Sequence, residues 1–219
     1  MNPFAPTANT RVRRHPERAS YDPATVYAII DDAYCCQVAF NLGDDIHQIP
    51  TACWREGNYL YIHGSNGSRM VRALASGSRC CVGITHVDGL VLARSAFSSS
   101  MNYRSVLIYG QFEIVEDPGH KLEALHQFME FLCAGRWQEA RQPNSKELAA
   151  TTVLRIPIEE VVAKTRSGPP KDDTEDYALP IWAGVLPLQA QAAPPIADPQ
   201  LASDVPLPAY LRAHCAEAH

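Results

Sequence analysis

Between residues 24 and 164 the apolar positions follow two periods, one of about two residues and one of about 3.6, and the switches between them predict the elements. Asp22 followed by Pro23 reads as a helix N-cap with proline at the first helical position, and VYAIIDDA supplies a short helix. Three β-forming runs follow at 34–42 (YCCQVAFNL), 46–54 (IHQIPTACW) and 58–63 (NYLYIH). Gly43-Asp44-Asp45 and Arg55-Glu56-Gly57-Asn58 punctuate them as turns, which predicts a meander. From Ser68 the spacing of Met70, Val71 and Leu74 predicts a helix ended by Gly77 as a left-handed cap. Strands resume at 79–87 and 89–96, with Asp88-Gly89 read as a hairpin turn, and a long strand is expected at 103–116. Pro118 opens an amphipathic helix to about Cys133, with Leu122, Leu125, Phe128, Met129 and Leu132 as a core-facing stripe. A last strand at 151–156 and an apolar run at 160–164 complete the series.

Proline divides the chain into three: four prolines fall in 1–23, three in 24–156 and ten in 157–219. The expected organisation is a basic arm over 1–21, carrying Arg11, Arg13, Arg14 and Arg18, a folded domain over 22–167, and a proline-rich extension over 168–219. SGPPKDDTEDYALP reads as a linker, and the tail from about 184 as extended over the surface. Short strands with inserted helices predict a mostly β fold, a small antiparallel barrel decorated by helices.

The composition leaves this picture intact. The 219 residues are 46% hydrophobic and 20% charged with a net charge of −5, which suits an ordinary domain able to bury roughly 70% of its unfolded surface. The acidic balance speaks against a nucleic-acid partner, and no apolar run approaches the ~20 residues of a membrane span. A cytoplasmic protein is expected. Of seven cysteines, four stand in adjacent pairs, Cys35-Cys36 and Cys80-Cys81, which cannot conveniently bond each other within a strand and read as buried reduced thiols. No CxxC or HExxH spacing points to a metal, and GxxxxGK[ST], GxGxxG and GxSxG motifs are absent.

Two segments concentrate polar chemistry. In YIHGSNGSRMVRAL (61–74) a strand passes through Gly64-Ser65-Asn66-Gly67-Ser68 into a helix, where small residues admit close backbone approach. Ser65 and Ser68 add hydroxyls, and Arg69 and Arg72 share one helical face, so the segment can cradle a phosphate or simply cap a helix beside two solvated arginines. ARSAFSSSMNYRSV (93–106) gathers Arg94, serines, Asn102, Tyr103, Arg104 and Ser105 beside apolar strands, as a ligand edge or a turn. His63 and Tyr103 are the candidate proton donors, and no other catalytic residue is evident.

The blocks IPTACW (49–54), LYIHGSNGSRMVRAL (60–74), THVDGLVLARSAFSSSMNYRSVLIYG (85–110) and LPIWAGVLPL (179–188) resemble the pyridoxamine 5′-phosphate oxidase-related, FMN-binding split-barrel family, in its flavin-nucleotide-binding and nitroimidazole-resistance branch. That resemblance implies a six-stranded antiparallel split β-barrel and a homodimer with FMN at the subunit interface. By analogy Pro50, Thr51 and Ala52 would line the flavin ring, and His63, Gly64 and Ser65 would follow its edge. Ser68 and Arg69 would take the phosphate, Asn102, Tyr103, Arg104 and Ser105 would close the site, and Trp182 would approach the ring from the other subunit. The implied activity is an FMN-dependent oxidoreductase, with NAD(P)H as a possible electron donor and an unassigned small-molecule substrate. Met70, Ser105 and the segment after Trp182 depart from the oxidase proper, which leaves true pyridoxamine or pyridoxine 5′-phosphate oxidation as one alternative and a non-catalytic flavin- or haem-binding module as another.

Overall fold

In the computed structural model, which describes residues 2–216, the chain forms one curled antiparallel sheet whose long strands wrap a single main core. A two-residue strand β1 (Ala19–Ser20) precedes α1 (Pro23–Asp31), and the meander β2 (Cys35–Leu42), β3 (Asp45–Glu56) and β4 (Tyr59–Ser65) leads into α2 (Arg69–Ala75). The strands β5 (Arg79–Leu92), β6 (Ser100–Gln111) and β7 (Glu113–Ile114) then precede three helices, α3 (Pro118–Leu132), α4 (Arg136–Glu139) and α5 (Ser145–Ala150). The chain finishes with β8 (Thr151–Pro157), β9 (Glu160–Arg166), β10 (Gly184–Pro187) and α6 (Ala209–Ala216). The strand order is β1-β9-β6-β5-β2-β3-β4-β8-β7, with β10 added to β5. The architecture is the expected split barrel, with seven longer strands in place of six and three short pieces, β1, β7 and β10, added to them.

Three caps set the helices. The Asp22 carboxylate accepts from the Thr25 amide at 2.9 Å, and Val26, Ile29 and Ile30 bury one face of α1. The Ser68 hydroxyl accepts from the Val71 amide, Met70, Val71, Ala73 and Leu74 face inward, and Gly77 takes the left-handed φ of 85° after α2. Asp117 caps α3 through the His120 amide at 2.7 Å.

β3 turns the corner of the fold. Its residues Asp45 to Ala52 pair with β2, whereas Cys53 to Glu56 pair with β4, so the strand leaves one half of the sheet for the other. α3 covers the second half and closes a smaller cluster of Trp54, Tyr61, Val115, Ala124 and Val153.

Several expectations change. Asp88-Gly89 is no hairpin: β5 runs through it, the extra residue forms a bulge against β6, and Gly89 keeps ordinary backbone angles. The turn lies at 93–99 instead, so β6 begins at Ser100, and it breaks at Phe112, whose side chain enters the core as the chain crosses to β7. α3 presents Ala124, Leu125, Phe128 and Phe131 to the cluster, while Leu122 and Leu132 stay exposed. The tail is ordered into β10 and α6, and 136–150 contains two helices that no apolar period announced. Cys35 is exposed although Cys36, Cys53 and Cys80 are buried, because strand neighbours face opposite ways. No helix among the described residues is long and apolar enough to cross a membrane.

Candidate functional site

The turn between β4 and α2 is fixed from both sides. The Ser68 amide donates to the Ser65 carbonyl at 2.8 Å, the Asn66 amide to Ala150 at 3.0 Å, and the Asn66 side chain bonds Ala149 and Thr152. Gly64 lets α2 approach, since a Cβ there would stand 2.8 Å from Val71 Cγ2. The result is a rigid turn from which Arg69 and Arg72 project exposed, with no ion pair among the described residues. Two unpaired guanidinium groups beside a serine hydroxyl suit an anion.

Register brings a second predicted group to the same place. The β3–β4 ladder ends at Cys53 opposite Ile62. Continued, it would set Ala52, Thr51 and Pro50 opposite His63, Gly64 and Ser65. The strands part there instead: Pro50, Thr51 and Ala52 stay with β2, and His63, Gly64 and Ser65 pair with β8. The split of the barrel therefore lies between the two predicted triplets, and Pro50, which has no amide hydrogen, stands on the open edge of β3 where none is needed.

His63 turns its side chain away from the main core. It shares strand parity with Tyr59 and Tyr61, and its ring lies 4.8 Å from Phe128 and 5.9 Å from Trp54, under α3. Its Nδ1 is buried without a hydrogen-bond partner, as is the Nε1 of Trp54. Burial lowers the His63 pKa below its ordinary value, so the ring is neutral at pH 7. Trp54 and Phe128 were absent from the sequence-based set; the shared parity of Trp54 with its neighbours on β3 was the available signal for the first.

The remaining predicted residues lie elsewhere. Asn102, Tyr103, Arg104 and Ser105 are on β6, three strands from β3, which is ~14 Å across the sheet. Three of the four hold their own chain together. Asn102 accepts from Arg166 at 2.6 Å and donates to Gly168, and Ser105 donates to the Lys164 carbonyl. Arg104 bonds Asp88 and pairs with Asp32 at 2.5 Å, and these carboxylates hold its pKa above the usual arginine value. Tyr103 is half-buried, and its hydroxyl has no hydrogen-bond partner among the described residues.

Trp182 is further still. Gly184, two residues on, pairs with Leu92 at the end of β5. Leu92 lies seven residues past Thr85, the position level with Ser105, which is roughly 23 Å along a strand. The β5–β6 arm that carries these residues projects beyond the start of β2, and β10 lines its free side. The predicted residues thus form two sets, one at the split and one along the arm.

A family model described as pyridoxamine 5′-phosphate oxidase matches residues 22–165. Among solved structures, the flavocytochrome Anf3 from Azotobacter vinelandii is 40% identical, with 97% of this chain and 99% of that one covered and a TM-score of 0.91. An FAD- and haem-binding protein from Mycobacterium smegmatis is 36% identical, with 90% and 97% covered and a TM-score of 0.87. A Bacteroides thetaiotaomicron protein described as conferring 5-nitroimidazole antibiotic resistance shares the fold at 21% identity, with 67% and 86% covered and a TM-score of 0.57. No curated protein sequence matches the chain.

Proposed function

The chain belongs to the pyridoxamine 5′-phosphate oxidase family, and from that premise we propose that it is an oxidoreductase that holds a flavin and a haem as a homodimer. The observation that carries this reading is the similarity, over nearly the whole chain, to two proteins named for those groups. A flavin supplies hydride or single-electron transfer, and the protein supplies binding, orientation and exclusion of water.

The residues at the split fit a flavin phosphate: Ser68, Arg69 and Arg72 offer a hydroxyl and two unpaired cations on a rigid turn. Pro50, Thr51, Ala52, Gly64 and Ser65 would line the neighbouring opening. The sequence motifs favour FMN, whereas the mycobacterial relative's name favours FAD. Either presents a phosphate to the same turn.

A haem needs a free donor such as a neutral imidazole. His63 fits, being half-buried among aromatic rings with an unpartnered Nδ1 and a lowered pKa. His63 would therefore hold a haem iron in preference to giving a proton, which leaves Tyr103 as the side chain that would move one.

The two sets of residues support the dimer. Tyr103 and Trp182 stand along the arm and Arg69 at the split, and a symmetric partner would set its arm against the split. NAD(P)H is the proposed electron donor, and the substrate is a small molecule.

The test is the visible spectrum of the purified protein, with acid release and mass spectrometry of the chromophores. Flavin bands together with a Soret band are expected, and the released mass distinguishes FMN from FAD. His63→Ala is expected to keep the flavin and lose the Soret band. A colourless protein that takes up neither added flavin nor haem would overturn the reading.

A further inference from the structure

The segment joining β9 to β10 has the composition of a linker, yet it contains a fully buried carboxylate. The Asp172 side chain is 0% exposed. Its Oδ1 accepts from the amides of Arg94 at 2.9 Å and Ser95 at 3.2 Å, and its Oδ2 takes Arg94 Nη1 at 3.1 Å. A carboxylate leaves water only where charge and hydrogen bonds replace its hydration, and all three donors come from the loop that follows β5. The guanidinium of Arg94 also lies over the ring of Tyr177, 4.9 Å from its centroid.

Residues 172–187 are therefore fastened twice to the arm. Asp172 and Tyr177 grip Arg94 and Ser95, and β10 pairs with Gly89 to Leu92. Trp182 lies between the two fastenings. Its indole rests on Gly184, where a Cβ would come within 2.9 Å of the ring, and the residue is 69% exposed. With the exposed Leu179 and Ile181 beside it, Trp182 forms an apolar stretch that faces away from its own chain. Without the first fastening, the residues before β10 would be tied to the arm at one end only, which loosens the stretch that presents Trp182.

We propose that Asp172 is a positioning residue: through Arg94 and Tyr177 it sets Trp182 for the flavin site of the partner subunit. This rests on the reading that the chain binds a flavin in a site completed by a second copy. The acidic residue acts on the cofactor only through the tryptophan, so its loss and the loss of Trp182 should remove the same contribution.

The experiment has two readouts. In full-length protein labelled with 5-fluorotryptophan, Trp54, Trp137 and Trp182 give three fluorine resonances, with Trp182→Phe identifying the third. Asp172→Asn and Asp172→Ala are expected to shift or broaden the Trp182 line and leave the other two in place. An unmoved Trp182 line in both variants overturns the proposal, whether or not flavin binds. In flavin titrations of the apoprotein, Asp172→Ala is expected to weaken binding up to about tenfold, the effect of one aromatic contact. Adding Trp182→Phe should weaken it no further. Losses that multiply in the double variant would show that Asp172 does not act through Trp182. A wild-type protein that refuses flavin would instead defeat the reading the proposal rests on, and the fluorine spectrum would still decide whether Asp172 sets Trp182.

Discussion

Arg69 and His63 stand six residues apart and meet opposite environments: one is an unpaired cation in water, the other a neutral ring among aromatics. If Arg69 bonds a flavin phosphate, Arg69→Ala should weaken flavin binding by about 1.5–3 kcal/mol, roughly ten- to two-hundredfold. Fluorescence titration checks this, and an unchanged affinity would exclude the contact. His63 predicts a pH dependence of the apoprotein. Its folded pKa lies below the ordinary 6.5, so as pH falls the unfolded chain takes up the proton first. The stability of the neutral form is complete above about 6.5 and drains away as pH drops toward the folded value. His63→Phe should flatten that slope in urea midpoints measured from about pH 7.5 to 5. At this scale the sequence named His63 as a residue to watch and left open what it faces. Parity with Tyr59 and Tyr61 held the answer to its side of β4, but the Phe128 that encloses it comes from a helix 65 residues further on.

Among the elements, the three helices α1, α2 and α3 were legible, because Asp22, Ser68 and Asp117 cap them through hydrogen bonds to amides only three residues away, whereas α4, α5 and α6 were not. Strand ends were harder. Asp88-Gly89 has the chemistry of a hairpin, yet the chain continues straight, since Asp88 is occupied by Arg104 and β10 lies against Gly89. A Cβ at residue 89 would stand 3.0 Å from Val185 Cγ1 and 3.1 Å from the Leu186 carbonyl oxygen. Gly89→Ala should therefore push β10 off β5 at a cost of about 1–3 kcal/mol. Limited proteolysis is expected to cut residues 173–188 faster in that variant, and an unchanged cleavage rate would refute the reason given for the glycine. Neither Arg104 nor Val185 could be assigned to this bulge from local sequence, because they arrive from 16 and some 96 residues downstream.

The whole molecule raises the question of what the arm is for. It carries Tyr103 and Trp182 away from its own split, along with exposed Val87, Leu90, Leu92, Met101 and Leu186. Sedimentation should give a dimer, and a monomer at micromolar concentration would defeat the composite site. Mixing offers a sharper check. After subunit exchange, an Arg69→Ala chain and a Trp182→Ala chain should regenerate intact sites in about a quarter of positions, since half the dimers are mixed and each has one complete site. Flavin binding that stays at the level of the single variants would mean that both residues serve the same chain's site.

By itself the sequence determined the split-barrel family, the capped helices, the meander and the glycine-serine turn with its arginines, all of which rest on neighbours within a few residues or on motifs that survive as contiguous blocks. Tertiary structure alone decided that β3 leaves β2 for β4 between Ala52 and Cys53, that His63 lies under α3, and that Asp172 is buried. It alone divided the predicted site residues between the split and the arm. Each of these is set by contact with another element, the partner strand for register, α3 for His63 and the loop after β5 for Asp172, and leaves no local mark in the sequence.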